Sequence, residues 1–476
     1  MSISSAFANA ASGLTASARA VQVASANIAN AMTEGYAARR IDLVPATLAG
    51  TGGGVRVAGI TRLTDPVLIG LHRDSFASAE ADARTSSFWQ RVESTVGLPG
   101  GGLSQALSDL DSALISASER PDLDQRLARV TTSAKALVAG IGAAGDTVQT
   151  LRLEADTAIA RDVATLNAGL ARVGALNDGI VRLQASGQST LGLLDERQAL
   201  VSSLSAIVPL REIPRSDGRV MLFSTGGELL LDLKSAEIRF SATPAVDAGM
   251  RNGAGLSPLS IGDRVIDMGS GGPMAGGRLA AGFHIRDVDA PQVQQGLDAL
   301  AADLINRFAD PATDTTLPPG APGLFTDGGG LVSAVPGLTS RLAVNTAVLT
   351  EQGGALWRLR DGIAAAAPGP VGNAVQVGNL LAALDRPVAA ATGQPAQGAT
   401  GRMAALIAEI STSRDVAETG AASTRARHEA LGEQVLAQGV DTDAEMQQLL
   451  LIEQAYAANA RVIETADAML RRLLEI

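Results

Sequence analysis

Between residues 2 and 31 the apolar positions are Ile3, Phe7, Ala10, Leu14, Val21, Ala24, Ile28 and Ala31, a four-three alternation interrupted only at Ser17. Such spacing lays a narrow apolar stripe along one side of a helix, and the stripe needs a second helix to cover it. A matching stripe lies at the other end of the chain: Leu449, Ile452, Tyr456, Ile463, Ala466, Leu470 and Leu473, with Asn459 as its one polar member. The pattern predicts a terminal helix pair, first with last, from which everything between is an excursion. Asn27 and Asn30 flank the first stripe, either as donors and acceptors toward a neighbouring subunit or as ordinary solvated polarity. Gly35 ends the first helix in the left-handed backbone that a helix exit uses, and Tyr36 covers that exit.

The interior alternates between two periods. Residues 50–54 form a Gly-rich loop, and Val55, Val57 and Ile60 a short strand, in a stretch expected to be irregular but ordered. Asp65-Pro66 opens a helix that runs to about residue 97. Gly100 to Gly102 breaks it, a helix follows over 103–118, and Pro121 opens the next. The seam Ile159, Val163, Leu166, Leu170, Val173, Leu176, Ile180 and Leu183 and the stretch 191–207 continue a bundle. After Val208 the period drops to two, giving strands at 219–223, 228–232 and 236–241 and a hairpin over 259–268 around Gly262-Asp263. Helical spacing returns at 291–308. Residues 310–338, rich in Pro, Gly, Asp and Thr, predict a long surface loop, with short helices at 355–367 and 375–384. A last bundle helix spans 403–438. Gly439 stops it, and Thr442 with Glu445 forms a capping box for a terminal helix about 45 Å long.

The expected fold is therefore mainly α with a β insertion, an α+β multidomain chain that is elongated. Residues 1–63 and 439–476 would make a terminal helical domain of paired coiled-coil helices. Residues 64–208, 289–309 and 403–438 would make a discontinuous α-helical bundle, 209–288 a small β-rich outer domain, and 310–402 a loop-rich insertion.

Composition narrows the function. Only 3% of the 476 residues are aromatic and 46% are hydrophobic, which favours helices packed through small side chains. A net charge of −11 argues against nucleic acid as a partner, since that requires clustered positive charge. Zero cysteines remove disulfides, thiolate metal sites and cysteine nucleophiles. No apolar run approaches the ~18 residues needed to span a bilayer, and the N-terminus lacks the charged flank and apolar core of a secretory signal. Catalysis also finds no foothold. His72, His284 and His428 are far apart in sequence, and none sits in a His-Glu-x-x-His arrangement. The Gly-rich stretch 269–277 lacks the Lys-Ser/Thr of a phosphate loop, and Asp310, Asp314 and Asp327 lack the Gly-centred spacing of a calcium loop. No enzymatic activity, cofactor or metal is expected.

The ends carry motifs as well as periodicity. Ala26-Asn27-Ile28-Ala29-Asn30 and Thr33-Glu34-Gly35-Tyr36 resemble the N-terminal signature of bacterial flagellar axial proteins. Glu453-Gln454-Ala455-Tyr456, Asn459-Ala460-Arg461-Val462-Ile463 and Thr465-Ala466-Asp467-Ala468-Met469-Leu470 resemble the matching C-terminal signature. In the interior, Leu193-Leu194-Asp195-Glu196-Arg197-Gln198-Ala199-Leu200-Val201, Gly276-Gly277-Arg278-Leu279 and Leu297-Asp298-Ala299-Leu300-Ala301 resemble the family of flagellar hook-associated protein 1, the hook-filament junction proteins of the FlgK family. One departure is Ala37-Ala38 before Arg39 and Arg40, where the family usually has a hydroxyl residue and an Arg. Residues 310–402 carry no resemblance, and the chain is short for the family.

The resemblance implies a structural component of the bacterial flagellum that joins hook to filament. It would be exported through the flagellar type III apparatus, so cytoplasmic first and extracellular afterwards. Its partners would be the hook protein, a second junction protein and the filament, further copies of itself, and an export chaperone on the C-terminal helix, with no membrane insertion. The implied assembly interface comprises the two stripes with Asn27, Asn30, Gly35 and Tyr36. Another flagellar axial protein (hook, rod or flagellin-like) and an adhesive module carried by 310–402 are the alternatives.

Overall fold

The computed structural model describes residues 3–33, 35–48, 51–97, 100–389 and 395–474. They are mainly helical, with small sheets. Helix α1 (Ile3–Ala29) leads into an antiparallel hairpin of β1 (Arg39–Leu48) and β2 (Thr51–Arg62). Then come α2 (Pro66–Val96), α3 (Gly102–Glu119), the 62-residue α4 (Asp124–Ala185) and α5 (Leu191–Ser205). An antiparallel sheet of order β3-β4-β5 follows, built from β3 (Leu210–Pro214), β4 (Val220–Ser224) and β5 (Leu229–Leu231). Five two-residue strands complete the stretch: β6 (Ile238–Arg239), the parallel pair β7 (Arg251–Asn252) and β8 (Gly255–Leu256), and the hairpin β9 (Ser260–Ile261) and β10 (Arg264–Val265). Helix α6 (Gly277–His284) runs through a π-helical turn, Ile285–Asp289, into α7 (Ala290–Ala309). The pair β11 (Phe325–Asp327) and β12 (Leu342–Val344), α8 (Trp357–Asp361) and α9 (Val375–Asp385) precede the long α10 (Ala399–Ala437) and α11 (Thr442–Leu474).

Local chemistry explains several boundaries. Asp65 caps α2: its Oδ1 accepts from the Val67 and Leu68 backbone N–H groups at 2.9 and 3.1 Å, which would otherwise be orphaned in the first turn. Pro121 does not open a helix. Residues 121–123 form a turn, and α4 begins at Asp124, whose carboxylate suits the positive end of the helix dipole. The stretch after α1, expected to be irregular, is a long hairpin instead. Pro45 and two register shifts in β1–β2 break the two-residue alternation that would have marked it.

The chain divides into two units. The first comprises residues 1–77, 168–236 and 425–476. Away from the termini, its core joins Leu170, Val173, Leu176 and Ile180 of α4 with Val201 and Leu204 of α5 and with Leu210, Val220, Leu222, Leu230 and Leu231 of the sheet. Buried Asn177 stitches sheet to helix, donating to the Val220 carbonyl at 2.9 Å and accepting from the Val220 N–H at 3.2 Å.

The second unit comprises residues 78–167 and 237–424, and one hydrophobic core runs through it from Phe88 to Ile410. Inside it, fully buried Arg286 pairs with fully buried Asp156 at 2.7 Å. Buried Arg152 donates to the carbonyls of Arg286, Asp247 and Met250. These charges hold the strand-poor stretch around 240–257 through hydrogen bonds where it has few ladder bonds of its own.

This division departs from the expected one. Residues 209–288 do form strands, yet β3–β5 cluster with the chain termini and β6–β10 with the second unit. The stretch 64–208, expected as one bundle segment, is likewise shared between the units. Helical periodicity continues unbroken along α2 and α4, so it carries no sign of where a helix changes partners. Nor is 310–338 a surface loop: Thr313, Asp314, Leu324, Phe325 and Leu338 are buried. Asp314 Oδ2 accepts from the Ile363 N–H at 2.8 Å, and Asp310 pairs with Arg386 at 2.6 Å. Phe325, Leu342, Leu359, Val377 and Leu380, all from the expected insertion, belong to the core.

Asp327 shows how such an irregular segment is pinned. Its nearly buried carboxylate accepts from Arg341 Nε at 2.7 Å and from the Ser333 N–H and hydroxyl at 3.0 and 2.6 Å. The Arg341 bond, foremost, lowers its pKa to about 2. A lowered folded-state pKa means stability that is present above the ordinary carboxylate range and lost as pH falls through about 2. Asp327→Asn is therefore expected to speed hydrogen exchange across β11 and β12 at pH 6, with the difference from the parent shrinking as pH falls from about 4 toward 2. A pH-independent difference would mean that the carboxylate charge is not what holds the segment.

Candidate functional site

The expected terminal helix pair is present: α1 packs along α11, and the β1–β2 hairpin packs on α1. The covered side of α1 shares Ala10, Ser17 and Ala24 with the expected stripe but is shifted from its larger members toward smaller neighbours. In α1 the deepest residues are Ala10, Ala16, Ser17, Ala20, Val23, Ala24 and Asn27. Ile3, Leu14, Ile28 and Ala31 are half-buried, and Phe7 and Val21 are exposed. The covered stripe is thus rotated onto small residues, which lets the helix backbones approach closely.

Gly13 marks the closest approach. A Cβ placed there would stand 2.6 Å from Asn459 Nδ2 and 2.8 Å from its Cγ, so the polar member of the C-terminal stripe fills space that a side chain at 13 would occupy. On α11, Leu449, Ile452, Asn459 and Ile463 are half-buried and Ala466 is buried, whereas Tyr456 and Leu470 are exposed. Leu473 falls within α11, but its side chain lies outside the described residues.

At the C-terminal end of α1 a polar knot closes the pair. Asn27 has no exposed surface. Its Nδ2 donates to the Arg39 carbonyl at 2.8 Å and to Glu445 Oε1 at 2.6 Å, and its Oδ1 accepts from the Tyr36 hydroxyl at 2.8 Å and the Arg39 N–H at 3.0 Å. Four bonds satisfy the whole amide. Burial pushes the Tyr36 hydroxyl pKa up, with Arg39 partly offsetting it, so the phenol keeps the proton it donates. The Arg39 guanidinium lies 4.7 Å from the centre of the Tyr36 ring.

The expected capping box is not formed. Asp441 caps α11, accepting from the Asp443 and Ala444 N–H groups at 3.0 Å each, and this leaves Glu445 for Asn27. Asn27 spends its hydrogen bonds within its own chain. Asn30 donates to the Ala26 carbonyl at 2.8 Å.

A second anchor comes from α5. Asp195 accepts from Arg39 Nη2 and Arg62 Nε, both at 2.8 Å, and Gln198 accepts from Arg62 Nη2 at 3.0 Å. Gly35, at φ +78°, passes so close to α5 that a Cβ would stand 2.6 Å from that of Ala199. Asp195, Gln198, Arg62 and Glu445 were not among the expected interface residues. The signal available for them was indirect, an Arg39 left without a partner and the acidic Leu193-to-Val201 motif left without a role.

The histidines are not all separate. His72 and His428 stack with ring centres 4.5 Å apart, beside Phe76, and burial lowers the pKa of His72. Among the described residues no group of three or more His, Cys, Asp or Glu could hold a metal ion, and no helix is long and apolar enough to cross a membrane.

The two helices of this pair are the parts of the chain that match flagellar rod proteins. The family described as flagella basal body rod protein matches residues 7–36, and that described as flagellar basal body rod FlgEFG protein C-terminal matches 435–476. These matches define the class, a flagellar axial protein. Between them, residues 89–315 match the helical domain of flagellar hook-associated protein FlgK. Flagellar hook-associated protein 1 of Bacillus subtilis (strain 168) is 21% identical over 501 residues, covering 97% of this chain and 96% of the relative. The protein of the same name from Salmonella typhimurium is 27% identical over 321 residues, covering 64% of this chain and 56% of the relative. The solved flagellar hook junction protein FlgK from Burkholderia pseudomallei aligns at a TM-score of 0.46 and 19% identity, over 54% of this chain and 47% of that one. These similarities are to hook-associated proteins of the FlgK family, structural components of the flagellum.

Two substitutions test the geometry. Gly13→Val should drive α1 from α11 and cost about 1–3 kcal/mol, as overpacking does. It should appear as lost helicity and faster proteolysis at both ends, and adding Asn459→Ala should restore much of the loss. Asn27→Ala strands Glu445 and the Tyr36 hydroxyl, and should cost about 1–3 kcal/mol for each group left buried without a partner. Unchanged protease resistance in both single variants would show that the terminal pair is held elsewhere.

Proposed function

We propose that this chain sits at the junction between hook and filament and joins it through the α1–α11 pair. One observation carries the reading. Outside its covered seam the pair leaves large apolar residues in water: Phe7 and Val21 on α1, and Met446, Leu450, Leu451, Tyr456, Met469 and Leu470 on α11, are all exposed. Large apolar residues left in water on a helix pair whose own seam is made of small ones call for neighbours. Burying each such side chain against a neighbour contributes about 1.5–3 kcal/mol. The chain's role here is structural and its chemistry noncovalent. Neighbouring copies of the chain, the hook protein on one side, and a second junction protein and the filament on the other would supply the covering surfaces. Before export the same face on α11 would be held by a chaperone in the cytoplasm, and after export the protein would be extracellular, on the flagellum.

The adhesive alternative for 310–402 loses support, since that stretch contributes to the core of the second unit instead of standing free. The test uses exposed positions, so that folding and assembly separate. Tyr456→Asp with Leu470→Asp should leave the helicity of the monomer unchanged. Added as purified protein to hooks outside the cell, the variant should support at least about tenfold less filament growth than the parent, because each charge would have to be desolvated on docking. Filament growth equal to the parent's would remove this face as the assembly surface.

A further inference from the structure

Within the first unit, a cavity of about 470 Å³ opens among the end of β2, α2, α5 and β3. Four guanidiniums line it, Arg62, Arg73, Arg197 and Arg211, against two carboxylates, Asp74 and Glu212. The arginines differ in what they have left to give. Arg73 is buried and each of its nitrogens is engaged: Nε donates to the Ser202 hydroxyl at 2.9 Å, Nη1 to Glu212 at 2.9 Å and Nη2 to the Gln198 carbonyl at 3.2 Å. Arg62 gives Nε to Asp195 and Nη2 to Gln198, and keeps Nη1. Arg197 is held at one nitrogen only. Its Nη1 donates to Asn177 Oδ1 at 2.8 Å and to the Gly218 carbonyl at 2.9 Å, and Asn177 is itself fixed on Val220. Nε and Nη2, which form the side edge of the guanidinium, take no hydrogen bond among the described residues and are open to solvent. That edge is the one with which Arg286 grips both oxygens of Asp287, at 2.8 and 2.9 Å. Burial holds the Arg197 pKa below its ordinary value, with Glu212 opposing that shift and Arg62 adding to it. Glu212 is already paired with Arg73. Burial pushes the Asp74 carboxyl pKa up, with Arg211 the foremost charge offsetting it.

We propose that this cavity binds an oxyanion, a carboxylate or phosphate group seated edge-on against Nε and Nη2 of Arg197, with Arg62 Nη1 and Arg211 supplying further positive charge. Two parallel N–H donors in one plane match two oxygens of either group. The bonds to Asn177 and Gly218 hold the guanidinium plane before the ligand arrives, so little side-chain freedom is lost on binding. A cation would meet an excess of two positive charges, four guanidiniums less two carboxylates. A neutral ligand would leave the Arg197 charge uncompensated where burial already disfavours it.

The probe is inorganic phosphate, titrated by calorimetry into the full chain at an ionic strength held constant with chloride. Saturable binding is expected. Arg197→Gln removes the edge and should weaken binding at least about tenfold, the worth of a hydrogen bond to a charged group. Arg197→Lys keeps the charge without the two-pronged edge and should recover only part of that loss. Arg211→Gln, at an exposed position of β3, should weaken binding about two- to fivefold. If both Arg197 variants prove misfolded by circular dichroism, Arg211→Gln decides alone. Unsaturable heats, a folded Arg197→Gln or Arg197→Lys chain that binds phosphate as tightly as the parent, or unchanged affinity in Arg211→Gln would overturn the assignment. A further arm identifies the source of the oxyanion. Self-association in sedimentation that phosphate reverses and Arg211→Gln weakens assigns it to an acidic side chain of a second copy, and sedimentation indifferent to phosphate assigns it to a free solute.

Discussion

A primary amide taken wholly out of water has to find all its hydrogen bonds in the protein, and Asn27 finds them on three separate pieces of chain. The turn after α1 supplies Tyr36, the start of β1 supplies both backbone groups of Arg39, and α11 supplies Glu445. None of these can move without exposing the amide or orphaning it, so the register of the terminal pair, the exit of the chain from α1 and the placement of the hairpin are fixed together. Asp195 extends the same logic to α5. It gathers Arg39 and Arg62, the first residue of β1 and the last of β2, onto one carboxylate.

The seam between α1 and α11 has a different character. Alanine, serine and glycine bury little area, so the pair gains less from the hydrophobic effect than a leucine-rich coiled coil of the same length would. Close approach is what the small residues provide. Specificity comes from the polar groups at its two marked positions, Asn459 against Gly13 and Glu445 against Asn27. Several of the large side chains that could have sealed the pair from within, Phe7, Val21, Tyr456 and Leu470, are exposed instead. A weak internal seam and an apolar outer face are two aspects of one arrangement, in which cohesion is left to whatever packs alongside.

The parts of this fold visible in the residue pattern were those with long, regular periods. The terminal pairing, α2, α3, α7, α9, α10 and α11 all lie close to their expected positions, as does the β9–β10 hairpin around Gly262-Asp263. Three things were not visible. The rotation of the α1 stripe onto small residues was hidden because alanine scores as apolar on both faces, so the four-three count settles on the larger side chains. The role of Glu445 was hidden because Thr442 and Glu445 also spell a local cap, and only the three-dimensional proximity of Asn27 decides between a local and a distant partner. The core contributed by 310–402 was hidden because it is built from single turns and three-residue strands, too short to show any period. Its polar residues, Asp314 and Asp327 among them, satisfy buried backbone instead of facing water.

The bond between Asn27 and Glu445 spans 418 positions of sequence. Closing a loop of that length is entropically unfavourable, although the penalty grows only with the logarithm of the length, and contacts of such separation form late. Until α11 is in place, α1 has no helical partner. An alanine-rich segment of 27 residues holds only marginal helicity in water by itself. The first helix therefore waits on the last, and the terminal unit comes together only when both extremities are free at once. A chain organised in this way stays uncommitted at its ends until the rest has formed and locks in a single late step.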